Sequence, residues 1–191
     1  MLSPSPPADA AAVAAAAACD EPALVRAAAG GDSRAFDAIV HSHYRRVYNF
    51  LYQLTRHRHD AEDLTQQTFV KAYAHLGGFD CARPLINWLL TIARRNALNH
   101  FRAAKRWQHL SEEPVSGSPS PAQQVEQKDR ADNVWSRARR VLSQREFEVL
   151  WLRFAEELST KEAARVMGLT QIHVKVLVHR ARQQLLKGEP S

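Results

Sequence analysis

Cysteine is nearly absent from this sequence: Cys19 and Cys81 are the only two, far apart and in no CxxC or Cys/His pattern. Such spacing offers neither a disulfide framework nor a structural metal site, and it points to a reducing, cytoplasmic setting. Glycine is scarce, with 7 residues and no phosphate-cradling run. There is also no GxSxG and no paired-carboxylate arrangement, so no catalytic centre and no cofactor site is assigned. Long apolar runs are missing as well: none approaches the roughly 20 residues of a spanning helix, so no membrane insertion is expected. The alanine-rich stretch from Ala10 to Ala18 has Asp9 at its start and no cation before Arg26, unlike a secretory signal. It reads as part of a disordered leader over residues 1–31.

The most informative absence is of acid. The chain carries a formal charge of +6 and a pI near 9.7, yet no Asp or Glu occurs from Cys81 to Ser111 or from Thr170 to Gly188. Solvated helix faces ordinarily mix both signs through i,i+4 pairs, so two uncompensated cationic stretches point to an anionic partner. In "NWLLTIARRNALNHFRAAKR" (87–106) and the two residues before it, Leu85, Trp88, Leu89, Ile92, Ala93, Ala97, Phe101 and Ala104 share a broad apolar face. Asn87, Thr91, Arg95, Asn99, Arg102 and Arg106 fall roughly opposite at 3.6 residues per turn.

The remaining pattern is all-α. Asp32 is a plausible cap for a helix burying Phe36, Ile39, Val40, Val47, Leu51 and Leu54. Asp60 is read as the cap of a second helix, with Glu62 and Asp63 in its first turn, where the macrodipole favours acids. Gly77 and Gly78 end that helix, "GGFDCAR" forms a loop, and Pro84 opens the long basic helix. A first helical bundle is thus expected over residues 32–106 and a Pro- and Ser-rich linker over 107–133. A second small domain follows over 134–187. There, Ser143 with Glu146 and Ser159 with Glu162 match capping boxes. Gly168 supplies a turn, and Thr170 caps a last helix with the buried stripe Val174, Val178, Ala181 and Leu185. Short helix, turn and basic helix make a helix-turn-helix. Its outward residues include Gln171, His173, Lys175, Val176, His179, Arg180 and Arg182, which supply cations for phosphates, polar groups for base edges and a methyl-sized surface for thymine.

Three segments together resemble the extracytoplasmic-function sigma factors, two-domain members of the sigma-70 family: "DAEDLTQQTFVKAYAHL" (60–76), "NWLLTIARRNALNHFR" (87–102) and "LSQREFEVLWLRFAEELSTKEAARVMGLTQIHVKVLVHRAR" (142–182). The resemblance implies a non-enzymatic subunit with core RNA polymerase and promoter DNA as partners, and it allows an anti-sigma protein as a third. It implies docking on a polymerase clamp through Asp60, Glu62, Asp63 and Gln66. It also implies minus-ten recognition and melting by the loop with Phe79 and Arg83 and by Asn87, Arg94, Arg95, Asn99 and Arg102 of the helix after it. The helix-turn-helix residues named above would read the minus-thirty-five element. The stacking surface for an extruded base is expected at Phe79, while Trp88 is assigned to the core. The sequence departs from the family's usual residues at Gln67, in the loop "FDCARPL", at Ile172 and His173, and at Leu177 in the recognition helix.

A metal site is not expected: His41 with His43, and His57 with His59, are HxH pairs whose rings stand about 200 degrees apart on a helix. Two other classes remain open at this point. One is a helix-turn-helix regulator that binds duplex operator as a dimer without polymerase. The other is a helical adaptor whose basic faces only keep it soluble.

Overall fold

All regular elements in the computed structural model, which describes residues 21–110 and 134–187, are helical. The chain divides into two compact units after Ala97.

In the first unit, α1 spans Glu21–Ala29 and buries Val25 and Ala28. This corrects the reading of 1–31 as disordered leader: residues 21–29 are ordered because two apolar side chains one turn apart pack against the next helix. Residues 1–20 lie outside the described residues. Gly30 and Gly31 turn the chain, Gly31 at φ 98°, a conformation that costs glycine little. Helix α2, Ser33–Thr55, starts as expected, with the Asp32 carboxylate accepting from the amides of Arg34 and Ala35 at 2.9 and 3.2 Å. Its buried residues are Ala35, Ile39, Val47, Phe50 and Leu51, so the stripe is placed slightly off the expected one and Phe50 replaces Leu54.

Helix α3, Arg58–His75, is capped by His57 and not by Asp60. The His57 ring nitrogen accepts the Asp60 amide at 3.4 Å, so the helix begins three residues earlier than expected. Asp60 lies in the first turn, while Glu62 and Asp63 stand in the second. A 3-10 turn, Leu76–Gly78, then leads through a loop into α4, Leu85–Leu110. Helix α4 continues past the expected boundary at 106 because no proline or glycine interrupts it there; residues 111–133 of the expected linker lie outside the described residues.

The second unit contains α5 (Val134–Val141), α6 (Gln144–Leu150), a π turn (Trp151–Ala155), α7 (Thr160–Met167) and α8 (Gln171–Lys187). Both expected capping boxes are present, at Ser143 with Glu146 and at Ser159 with Glu162. Glu146 is buried and also accepts from Gln184 of α8 at 3.1 Å, so one carboxylate caps α6 and ties it to α8. Ala138, Leu142, Phe147, Leu150 and Ala181 form a core flanked by Trp135 and Trp151. Gly168 ends α7 in the left-handed region at φ 65°, which lets α8 leave at the angle a helix-turn-helix needs.

Candidate nucleic-acid interface

The last helix presents its chemistry outward. Val174, Leu177 and Ala181 are buried, while Gln171, His173, Lys175, Val176, His179, Arg180 and Arg182 are all exposed. The Thr170 hydroxyl accepts the His173 amide at 3.2 Å, fixing the first turn. Leu177, the departure from the family's usual residue in the recognition helix, is a core residue: it lies three residues from Val174 and four from Ala181, on the face packed against the rest of the unit. Val178, expected in that stripe, is half-buried. Arg182 is partly engaged, its guanidinium 5.2 Å from the Phe154 ring centroid. That contact holds the cation near the helix by a cation–π attraction while the residue stays exposed.

Helix α4, whose first half belongs to the first unit, buries Leu85, Leu89, Leu90, Ala93 and Ala97. Arg95, Asn99 and Arg102 are exposed, and Asn87 and Arg94 are half-buried. Arg102 donates to the Asn99 side-chain oxygen at 3.4 Å. Ala104, expected on the apolar face, is exposed although it lies seven residues past buried Ala97 and within about 20° of it around the helix. Asn96 was not anticipated. It is buried within the apolar stripe, donates to the Thr68 hydroxyl at 3.1 Å and accepts from the Lys71 ammonium. Thr68 in turn donates to the Leu64 carbonyl at 2.7 Å, so a satisfied polar chain fixes α4 against α3. An asparagine interrupting the apolar repeat between Ala93 and Ala97 was the available sequence signal.

The loop before α4 is braced from within. Asp80 accepts the Ala82 amide at 3.0 Å and pairs with the Arg83 guanidinium at 3.1 Å. Arg83 therefore offers less net charge than its position suggested. Phe79 and Trp88 are both half-buried and pack against each other, with ring centroids 5.0 Å apart and planes tilted by 42°. The expectation that separated a loop phenylalanine from a core tryptophan is revised: the two rings form one partly exposed aromatic surface at the start of the basic helix.

Helix α3 carries Asp63, Gln66, Gln67, Val70 and Tyr73 as exposed residues along one side. The four docking candidates do not share one environment. Asp60 faces His57 at 3.5 Å, and Glu62 is held by Arg58 at 2.9 Å and lies near His59 at 3.8 Å. Two residues on from Asp60, Glu62 has rotated more than half a turn, and its charge helps raise the pKa of Tyr48 on α2, after burial of that phenol as the larger cause. Among the described residues no ion pair to Asp63 is formed, so Asp63 is the acid of this helix that is most open to a cationic partner. The same residues contain no His, Cys, Asp and Glu cluster able to hold a metal ion, and no helix long and apolar enough to cross a membrane.

The family description Sigma-70 region 2 matches residues 39–107, and Sigma-70, region 4 matches residues 135–185. The chain is similar to the ECF RNA polymerase sigma factor SigM of Bacillus subtilis, with 32% identity over 154 residues covering 78% of this chain and 91% of SigM. Two solved structures are similar in both fold and sequence. CnrH, solved in complex with the cytosolic domain of CnrY, aligns at TM-score 0.62 and 28% identity, covering 86% of this chain and 93% of CnrH. The sigma factor RpoE of Bartonella quintana, solved with the anti-sigma factor NepR, aligns at TM-score 0.65 and 28% identity, covering 81% of this chain and 98% of RpoE.

Proposed function

The chain belongs to the extracytoplasmic-function sigma factors of the sigma-70 family, and from that premise we propose how its two units divide the work of transcription initiation. It is an alternative sigma factor, a subunit that binds core RNA polymerase and directs promoter recognition, strand opening and initiation. Polymerase performs the bond-forming chemistry. Asp60, Asp63 and Gln66 on α3 meet the polymerase clamp, with Asp63 as the principal charge and Glu62 at the margin because Arg58 already neutralises it. The loop from Phe79 to Arg83 and the exposed side of α4, with Asn87, Arg94, Arg95, Asn99 and Arg102, receive the unstacked minus-ten strand. On α8, Gln171, His173, Lys175, Val176, His179, Arg180 and Arg182 read the minus-thirty-five duplex.

The observation carrying this assignment is the coincidence of exposure with the missing acids: in both acid-free stretches the helix exposes cations, Arg95, Arg102 and Arg106 on α4 and Lys175, Arg180 and Arg182 on α8. A melted strand presents phosphates to such cations and bare bases to aromatic rings, at about 1 to 3 kcal/mol per stacked base. The proposed domain limits are 32–106 and 134–187, extended at the N-terminus to include α1. The cytoplasm is the workplace this function requires. An anti-sigma protein is the proposed inhibitory partner, in keeping with the complex in which RpoE was solved.

Run-off transcription with purified core polymerase on a promoter library tests the assignment. Initiation at a constant distance from paired upstream elements, dependent on both core and this chain, is the expected result. Nanomolar, core-independent binding to a symmetric operator without strand opening would instead identify a dimeric helix-turn-helix regulator.

A further inference from the structure

Helix α4 is unable to cap its own start. Pro84 occupies the preceding position and has no polar side chain to accept a first-turn amide, and the first turn contains no acid. The nearest carboxylate in the loop, Asp80, is committed to the Ala82 amide and the Arg83 guanidinium. The Leu85 amide donates instead to Glu21 Oε2 at 3.1 Å, across 64 positions of sequence. The other oxygen of the same carboxylate meets His43 Nε2 at 3.1 Å. One side chain therefore joins α1, α2 and the start of α4, and it places a negative charge where the helix dipole favours it.

Helix α1 bounds the other side of the loop as well. It packs against the 3-10 turn Leu76–Gly78, with Val25, Ala28 and Leu76 all buried. Both the entry and the exit of the segment from Phe79 to Pro84 are thus tied to α1. Glu21 lies outside the stretch matched by Sigma-70 region 2, which begins at residue 39.

We propose that Glu21 is a positioning residue for strand opening: by capping α4 at Leu85 and anchoring it to His43, it holds the loop carrying Phe79 at the separation needed to capture a base. The cap makes no contact with DNA itself. Without it the first turn of α4 frays, Trp88 loses its fixed place, and the Phe79–Trp88 surface is no longer preformed. Duplex docking through α8 and polymerase docking through α3 do not use this cap.

The inference rests on the promoter-opening function above, and the test separates the two. Holoenzyme is reconstituted from the full chain and core polymerase, and permanganate reactivity of minus-ten thymines is compared with core affinity and closed-complex binding. If wild-type holoenzyme fails to open any promoter, the function is wrong; if it opens one, the variants judge Glu21 alone. Glu21→Ala should lower thymine reactivity about five-fold, the worth of a typical cap, while core affinity stays within about two-fold. Glu21→Gln, which keeps an acceptor for the Leu85 amide, should retain more than half of the reactivity, and this variant carries the test if Glu21→Ala does not fold. Adding Pro84→Asp to Glu21→Ala should restore part of the opening, because a local carboxylate then caps the first turn without rejoining it to His43. Unchanged opening in Glu21→Ala, a parallel loss of opening and core binding, or no recovery with Pro84→Asp would each overturn the proposal.

Discussion

Replacing Phe79 by alanine separates two roles of the aromatic surface at the start of α4. In the free protein the change removes one ring of a tilted pair whose centroids are 5.0 Å apart, an interaction worth about 0.5 to 1.5 kcal/mol. Because Phe79 is only half-buried and sits in a loop, the loss in global stability should fall at the low end of that range. On the proposed role, the same change in the open complex also removes a platform for an unstacked base, worth about 1 to 3 kcal/mol. The opening equilibrium should therefore fall by about 5- to 150-fold, while closed-complex binding, which uses duplex contacts, changes little. Permanganate footprinting of minus-ten thymines measures the first quantity and a filter-binding assay under non-melting conditions the second. Phe79→Tyr keeps the ring and should open nearly as well as wild type. Equal losses in the closed and open complexes, or an open complex as stable with alanine as with phenylalanine, would refute the role of this ring in base capture.

Asp63→Lys should release the chain from core polymerase in a pull-down while leaving circular dichroism unchanged, because Asp63 is exposed in the second turn of α3 and caps nothing; undiminished binding would mean that the docking face lies elsewhere. Val176→Ser should weaken recognition at one upstream base pair by roughly 1 kcal/mol in a competition assay over single-base variants, whereas Lys175→Ala should weaken all sequences alike and reduce the salt slope by about one; a uniform loss for Val176→Ser would rule out a base contact. Burial lowers the His43 pKa below its ordinary 6.5, opposed by Glu21 and assisted by Arg46. The unfolded chain then binds the proton more readily than the folded one, so the stability contributed above about pH 6.5 is lost as pH falls below it. The thermal midpoint should drop on acidification and His43→Gln should flatten that slope; an unaltered slope would contradict the assignment.

The division of labour between sequence and fold follows the range of the forces involved. Caps were legible because they act within three residues: Asp32, Ser143 with Glu146, and Ser159 with Glu162 sit where their spacing predicts. His57 escaped notice because a ring nitrogen is an uncommon cap, and the acids after it offered a more familiar pattern. The exposed cations of α4 and α8 were equally legible, since apolar periodicity fixes which side of a helix is buried and the missing acids mark the other side as reserved for an anion. Small displacements of a stripe, by one position at Leu177 and by a turn at Phe50, arise because buried faces are broad and the edge of a stripe is decided by what packs against it.

What only the tertiary structure decided is every contact between distant positions. Pairing of Glu21 with Leu85 spans 64 positions, and Asn96 meets Thr68 across 28. No local rule identifies either partner, because a hydrogen-bond donor in one helix is satisfied by whichever acceptor the packing of other helices delivers. The pairing of Phe79 with Trp88 likewise depends on how the loop folds back on α4. Sequence by itself determined the helices from Asp32 onward, though not α1, and which faces carry charge, since those depend on neighbours a turn apart. How the loop from Phe79 to Pro84 is held depended on tertiary packing, since α1, α2 and α4 must meet before Glu21 has anything to cap.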